Sequence, residues 1–598
     1  MKTLIIAVNS KYIHAALAPW YLKAGCDAGC GEVNVEEYTI NDTMESILGR
    51  IFAAKPQVAA FSCYIWNIEY VLRLAADLKK VLPEVRIVLG GPEVSYDAEE
   101  VLEKNPFVDY VLSGEGEVSF PLLLKSLRES SRVLKEIHGL TYRDLGRILS
   151  NQGCTVVEDL NSIPSPYTEE MLGALGNRIV YYESSRGCPF SCSYCLSSTT
   201  SGVRFFALDR VEEDLDRLVN AGVRQIKFVD RTFNSSQKRA KEIFALILHR
   251  YGSGTSQRNI NFHFEAAADL FDEEMFKILE QAPPGLIQFE IGVQTTNERT
   301  LELINRKTSI KAVFANFKRL KLAGNIHMHL DLIAGLPEED SLSFARSFNE
   351  VYNLGPQQLQ LGFLKMLKGS KIRKEADLYG YRFREYAPYE VLENQYISFE
   401  QLMEIKGIEE LVERYYNSGR FVQTLKWIHT TMFPAPFDFY TGFLQFNKER
   451  GTLERGISSR ELYNVLQDYL KKVLSESLWP VCNDLLKFDF LSSDNTNNLP
   501  SGIERMVEPD FREKCFAFLR NEENVKRYLP NFVGTPAKQI FKSVHFEKFR
   551  YNVVHHVTNY DVKKEETVVL FNYTDRDRVT ELYGGQIVEM DSKTFVQE

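Results

Sequence analysis

Cysteine is scarce in this sequence, and positive charge is not in surplus. Nine cysteines in 598 residues are an odd number and too few for a disulfide framework. Lys and Arg total 71 against 81 Asp and Glu, a formal charge of −10. A generally basic nucleic-acid binder is therefore disfavoured. No apolar run approaches the eighteen or so residues of a membrane span, and Leu4–Val8 is too short for the core of a signal peptide. Short repeats and low-complexity tracts are absent. The dinucleotide fingerprint Gly-x-Gly-x-x-Gly is missing after the first strand candidate, where Asn9-Ser-Lys-Tyr-Ile-His14 stands, which argues against NAD. These absences leave an ordinary globular chain, 44% hydrophobic and 25% charged, expected in the reducing cytoplasm and, at about 150 residues per domain, with about four domains.

Apolar strands alternating with amphipathic helices fill the first stretch. Leu4–Val8, Val58–Tyr64, Arg86–Leu89 and Val108–Leu112 read as strands, with helices over Asn67–Val81 and about Phe120–Arg128. This predicts a doubly wound parallel sheet over residues 1–130, with ligands beyond the carboxyl ends of its strands. Residues 131–176, with two prolines in Ile163–Tyr167, read as a connector. A second alternating series occupies 177–385. Its strands are Ile179–Glu183, Gln225–Asp230, Asn261–Glu265, Leu286–Val293, His327–Ile333 and Gln358–Leu364. Its helices are Arg210–Asn220, Ser236–His249, Glu273–Gln281 and Ile310–Ala323. Six such units predict a partial (β/α)6 barrel. Residues 386–598 read as a mainly helical domain, with helices over Tyr396–Tyr416 and Ser458–Leu478, a short strand pair near Thr567–Phe571, and an aromatic cluster at Phe433–Phe446 expected to be packing.

The strongest signal is Arg186-Gly-Cys188-Pro-Phe-Ser-Cys192-Ser-Tyr-Cys195, directly after the first strand of the second series. Three thiolates on one loop can hold three irons of a four-iron cluster and leave the fourth iron open to a small chelating ligand. A structural zinc site wants four ligands, and no further Cys or His lies nearby: the flanking ones are Cys154, Cys482, His138 and His249.

This motif resembles that of the radical S-adenosylmethionine (SAM) superfamily. So do Lys227-Phe-Val-Asp230, His263-Phe-Glu265, Glu290-Ile-Gly-Val-Gln294, Asn305-Arg306 and Asp331–Pro337 downstream. The resemblance implies that Cys188, Cys192 and Cys195 ligate a 4Fe-4S cluster and that Tyr194 lies near the adenine. It also implies that Asp230, Glu265, Gln294 and Arg306 bind the amino group, ribose and carboxylate of S-adenosyl-L-methionine. With the sheet in front, the order resembles the cobalamin-dependent radical SAM enzymes. That resemblance makes the first sheet a Rossmann-like cobalamin-binding domain. Ser62, Tyr64, Gly90, Gly91, Pro92, Glu93, Gly114, Glu115, Gly116 and Glu117 would line the nucleotide tail and corrin edge. The loop Tyr12 to Leu17, with His14, would face the lower side of the corrin. The Asp-x-His-x-x-Gly pattern that supplies a histidine to cobalt is absent, so cobalamin is expected without a protein histidine on its metal.

The implied chemistry is reductive cleavage of SAM, hydrogen abstraction by a 5′-deoxyadenosyl radical, and methyl transfer through methylcobalamin to carbon or, less often, phosphorus. The implied partners are a small-molecule or peptide substrate and a reductant such as flavodoxin or ferredoxin, with no membrane and no nucleic acid. Three other readings stay open. One is a cyclase, ring-rearranging or oxygenating enzyme with the same cofactors. Another is a tRNA methylthiotransferase-like enzyme, for which Cys26, Cys30 and Cys63 are candidates for a second cluster. The third is a non-enzymatic cobalamin or cluster sensor. Lys365, Lys368 and Lys371, after the sixth strand, could meet an anionic substrate, although lysines there are more often solvating.

Overall fold

The computed structural model describes residues 1–129, 133–200, 202–252, 260–495, 498–555 and 562–590. They form two compact units: Met1–Ile326 with Ile333–Asp340 and Gly362–Phe399, and His327–Leu332 with Ser341–Leu361 and Glu400–Glu598.

The first unit opens with five parallel strands, β1 (Lys2–Asn9), β2 (Glu32–Thr39), β3 (Val58–Ser62), β4 (Arg86–Gly90) and β5 (Tyr110–Leu112). Their order is β2-β1-β3-β4-β5. Side chains alternate across a strand, so one apolar run feeds two cores. Leu4, Ile6 and Val8 join Phe61 and Leu89 against Val71, Leu74 and Leu78 of the helix Ile68–Val81. Ile5 joins Ala60 and Val88 against Phe120, Leu123 and Leu124 of the helix Gly116–Glu129. Both faces are covered, which is why the central strands read as unbroken apolar runs.

Two features correct the expectation. β2 was not legible because it is the sheet edge, with alternating polar residues and only Tyr38 and Thr39 fully buried. The segment read as a connector contains a hairpin, β6 (Leu140–Asp144) and β7 (Arg147–Ser150), added antiparallel to β5. Its turn places Leu145 and Gly146 both at positive φ, 49° and 79°. Asn-Gly or Asp-Gly usually announces such a turn, and a leucine, here 98% exposed, hides it.

The second series begins with β8 (Val180–Tyr182) and a hairpin of β9 (Ser185–Gly187) and β10 (Val203–Phe205). β8, β11 (Gln225–Phe228), β12 (Asn261–Glu265) and β13 (Ile287–Gln294) pair in parallel, in that order. β14 (His327–Ala334) and β15 (Gln358–Phe363) complete the series of six. Their carboxyl ends lie in the first unit, where the Leu364 N–H donates to the Ala334 carbonyl at 3.0 Å. β13 shows how the wall is built. Ile287, Phe289, Ile291 and Val293 are buried, whereas Gln288, Glu290, Gly292 and Gln294 point the other way and are half-buried. Phe289 packs with Phe244, Phe264 and Phe271.

The second unit is mainly helical. Its helices include Val422–Thr431, Pro436–Arg450, Ser459–Val473 and Trp479–Ser493, and a three-stranded antiparallel sheet of Val544–Phe549, Thr567–Arg576 and Tyr583–Ile587 replaces the expected strand pair. Phe439, Tyr440 and Phe443 are fully buried against one another and Tyr469, as packing rather than as a pocket lining. Among the described residues, no helix is long and apolar enough to cross a membrane.

Asp489 caps the helix Val422–Thr431, accepting from the Gln423 and Thr424 N–H groups at 3.0 and 2.8 Å. Burial pushes its carboxyl from 3.8 up to about 7 despite those donors. A raised carboxyl contributes stability that is complete below its unfolded value and is lost as pH rises through the folded one. Subtracting the denaturation curve of Asp489→Asn from that of the parent is therefore expected to leave a contribution that falls between about pH 4 and 7.

Candidate functional site

The cysteine loop leaves the β9 strand and is tied down at its centre. Ser193 N–H donates to the Ile304 carbonyl at 2.9 Å, Ile372 N–H to the Ser193 carbonyl at 2.9 Å, and Asn305 Nδ2 to Ser191 Oγ at 2.6 Å. Cys192 is buried, and Cys188 and Cys195 are partly exposed; all three are free thiols. Burial pushes the Cys192 thiol up, the neighbouring Cys195 and Cys188 push it the same way, and Arg306 opposes them. Soft thiolates on a backbone pinned on either side of Cys192 suit iron, and ligation would offset the upward push of burial on the Cys192 thiol.

Beside the loop lie three of the expected SAM residues. Arg306 donates to the Tyr194 hydroxyl at 3.2 Å and to the Gly292 carbonyl. Gln294, at the carboxyl end of β13, sits at φ 71°, an uncommon conformation for a residue with a side chain. Its amide folds back over Gly292, into the space an added Cβ would occupy. Gln294 Oε1 and Arg306 Nε are buried without a hydrogen-bond partner. Buried polar atoms are normally satisfied, so an acceptor and a donor left open together fit a zwitterionic ligand end such as that of SAM. Glu265 stands at the end of β12 in register with Glu290. Asp230 is engaged within the chain. It is 1% exposed, and its oxygens accept from Ser184 N–H at 3.0 Å, Ser184 Oγ at 2.7 Å and Ser185 Oγ at 2.5 Å. It fixes the turn between β8 and β9 and offers no free face to a ligand.

At the first sheet, Ser62, Tyr64, Gly90 and Pro92 stand together at the carboxyl ends of β3 and β4, all half-buried. Trp66 stacks on Tyr64 with ring centroids 4.5 Å apart and 4° between planes, and its indole N–H reaches the Val8 carbonyl. Its indole is 44% exposed. This platform was missed; an aromatic two residues beyond Tyr64 was the available signal. Other expected residues have partners within the chain. Glu93 is buried and accepts from the Tyr389 hydroxyl at 2.7 Å. Gly91, at φ 115°, is required by the Cys63 carbonyl, 2.5 Å from where its Cβ would be. Gly114 pairs with Thr155. Glu115 and Glu117 are held by arginines: Arg204 Nη2 to Glu115 at 2.5 Å and Arg186 Nη2 to Glu117 at 2.5 Å. Lys368 pairs with Asp97 at 2.7 Å, whereas Lys365 and Lys371 are exposed, Lys371 with Glu375 3.5 Å away, which fits a solvating role.

The Tyr12–Leu17 loop joins the two series. Ile179 N–H donates to Ile13 at 2.8 Å, and Ala15 N–H to Ile179 at 3.3 Å, so the loop extends the β8 edge. His14 Nδ1 lies 2.8 Å from the Tyr181 hydroxyl, on a polar face that also carries Lys227, paired with Glu290 at 2.8 Å. Burial and the charges of Lys11 and Lys227 push the His14 imidazole below its ordinary range. Tyr12 is 74% exposed beneath the Arg178 guanidinium, and Leu17 is half-buried.

The cysteines weighed for a second cluster lie apart. Cys63 belongs to the core on one face of the first sheet, and Cys30 with Cys26 to the core on the other. They cannot converge on one metal centre.

Three family models match successive stretches: the B12 binding domain over residues 3–124, the radical SAM superfamily over 182–350, and a protein of unknown function (DUF4080) over 377–571. The cobalamin-dependent radical SAM methyltransferase TokK of Streptomyces tokunonensis is 26% identical over 436 residues, 69% of this chain and 61% of the relative. The 2-(S-pantetheinyl)-carbapenam-3-carboxylate methyltransferase of Streptantibioticus cattleyicolor is 23% identical over 406 residues, 64% of this chain and 58% of the relative. The chain thus spans about three fifths of the length of these curated relatives. The cobalamin-dependent SAM radical enzyme OxsB, solved with aqua-cobalamin and SAM, matches with a TM-score of 0.57 over 90% of this chain and 84% of that one; at 15% identity this is a likeness of fold.

Proposed function

We propose that this chain, which by its B12-binding and radical SAM domains is a cobalamin-dependent radical SAM enzyme, transfers a methyl group from SAM to an unactivated carbon of a small-molecule or peptide substrate. The observation that carries the reading is the pinned three-thiol loop beside two unsatisfied buried polar atoms, Gln294 Oε1 and Arg306 Nε. A 4Fe-4S cluster would supply the electron that cleaves SAM into methionine and a hydrogen-abstracting 5′-deoxyadenosyl radical, and cobalamin would supply the methyl group.

The chain's own residues do the holding. Cys188, Cys192 and Cys195 would ligate three irons. Arg306 would meet the SAM carboxylate and Gln294 its amino end, with Tyr194 close to both. Asp230 fixes the strand turn that launches the loop, and the buried Phe228, Phe264 and Phe289 pack the opposite face of the strands and hold them in place behind the site. Tyr64 and Trp66 offer an aromatic platform for the corrin. His14 is engaged with Tyr181, which favours a cobalt without a protein histidine. A flavodoxin- or ferredoxin-type donor in a reducing cytoplasm would provide the electron.

Anaerobic reconstitution with iron, sulfide and cobalamin, followed by dithionite and SAM, is expected to release 5′-deoxyadenosine. A cluster-loaded chain that releases none would defeat the proposal.

A further inference from the structure

The Gly114-Glu-Gly-Glu117 turn belongs in sequence to the B12-type sheet, yet its carboxylates are spent on the cysteine loop. Arg186 lies two residues before Cys188, on β9, and Arg204 lies directly across from it on β10. Antiparallel partners share a face, so the two guanidiniums stand side by side. Glu115 forks onto Arg204, with its two oxygens at 2.5 and 3.0 Å, and also reaches Arg186 at 3.5 Å. Glu117 takes Arg186 Nη2 at 2.5 Å, and Glu183 takes Nε at 2.9 Å. The Tyr21 ring covers the same guanidinium at 5.3 Å. The side chains of Arg186 and Glu117 are only 10% and 9% exposed.

Such a lattice is a poor way to gain stability. Removing charges from water costs several kcal/mol per ion, and apolar residues would join two surfaces as well. What a buried, bidentate network specifies is geometry. The hydrophobic contacts around it could slide by an ångström; five interlocked polar side chains could not.

We propose that Glu115 and Glu117 are positioning residues that clamp the cysteine loop to the B12-type sheet through Arg204 and Arg186, and so fix the spacing between cluster site and corrin site. The inference rests on the two-cofactor reading above. SAM cleavage needs only the cluster site, whereas methyl transfer to the corrin needs both sites in register. A displacement of about 1 Å can cost on the order of 100-fold in a reaction that depends on approach.

The test uses Glu117→Gln and Glu115→Gln, close isosteres that keep hydrogen bonding and lose charge. Four quantities are read on each reconstituted protein: iron content, cobalamin affinity by absorbance titration, 5′-deoxyadenosine released, and methyl label on the corrinoid from methyl-labelled SAM. The expected result is iron content and cobalamin affinity at parent values, with the ratio of corrinoid label to 5′-deoxyadenosine lowered about 10- to 100-fold. An unchanged ratio in both variants overturns the clamp. So does an equal fall of both products together with lost cofactor, which marks a merely structural role. A parent chain that binds cobalamin but yields neither product contradicts the two-cofactor reading and is recognised before any variant is compared.

Discussion

Cys192→Ser is expected to fold, to lose its iron–sulfur cluster, and to release 5′-deoxyadenosine at least about 1,000-fold more slowly than the parent. Folding should survive because Cys192 is a small buried group on a loop held by other contacts, those of Ser191, Ser193 and Asn305. The cluster should not survive, because a serine hydroxyl stays protonated where a thiol yields a soft anionic ligand. Iron content and the rate of SAM cleavage check this directly. Cys26→Ser and Cys30→Ser serve as controls: both thiols lie in the core of the first sheet, and replacing them should leave bound iron unchanged. Iron retained by Cys192→Ser at the parent level would sink the assignment.

The second large effect concerns Arg306. In Arg306→Met the guanidinium no longer reaches Tyr194 or the Gly292 carbonyl, and the unsatisfied Nε disappears. A charge-assisted hydrogen bond to a carboxylate contributes about 1.5–3 kcal/mol, so SAM affinity is expected to fall about 10- to 100-fold. Equilibrium dialysis with SAM measures it. Iron content is measured on the same protein and the affinity is expressed per cluster-loaded chain, since the Arg306 guanidinium also favours the Cys192 thiolate. Parent affinity in the variant would show that the open donor serves some other ligand.

Legibility in the sequence followed physical rules. Central strands such as β1 and β3 were readable because both their faces are buried, and the cysteine loop because its spacing has one good chemical use. Edge and hairpin elements were not: β2 carries alternating polarity, and β6–β7 turn through Leu145 instead of an Asn-Gly signal. The site residues divide in the same way. Gln294, Arg306 and Tyr194 stand where a strand end and a turn meet the loop. Asp230, Glu93, Glu115 and Glu117 occupy strand-end positions just as well, but their partners come from distant segments: Ser184 and Ser185, Tyr389, Arg204 and Arg186. Strand-end position can be read from sequence; the partner a carboxylate finds across tens or hundreds of residues cannot. Trp66 was hidden for the converse reason, because its role depends on the angle at which it meets Tyr64.

One chain is expected to bring a cluster site and a corrin site to bear on SAM. The direct measurement is anaerobic incubation of the cluster- and cobalamin-loaded protein with reductant and methyl-labelled SAM, followed by mass spectrometry of both the nucleoside and the corrinoid. The expected result is 5′-deoxyadenosine together with label on the corrinoid. Nucleoside without any label on a tightly bound corrinoid, or a protein that binds no corrinoid, would contradict it.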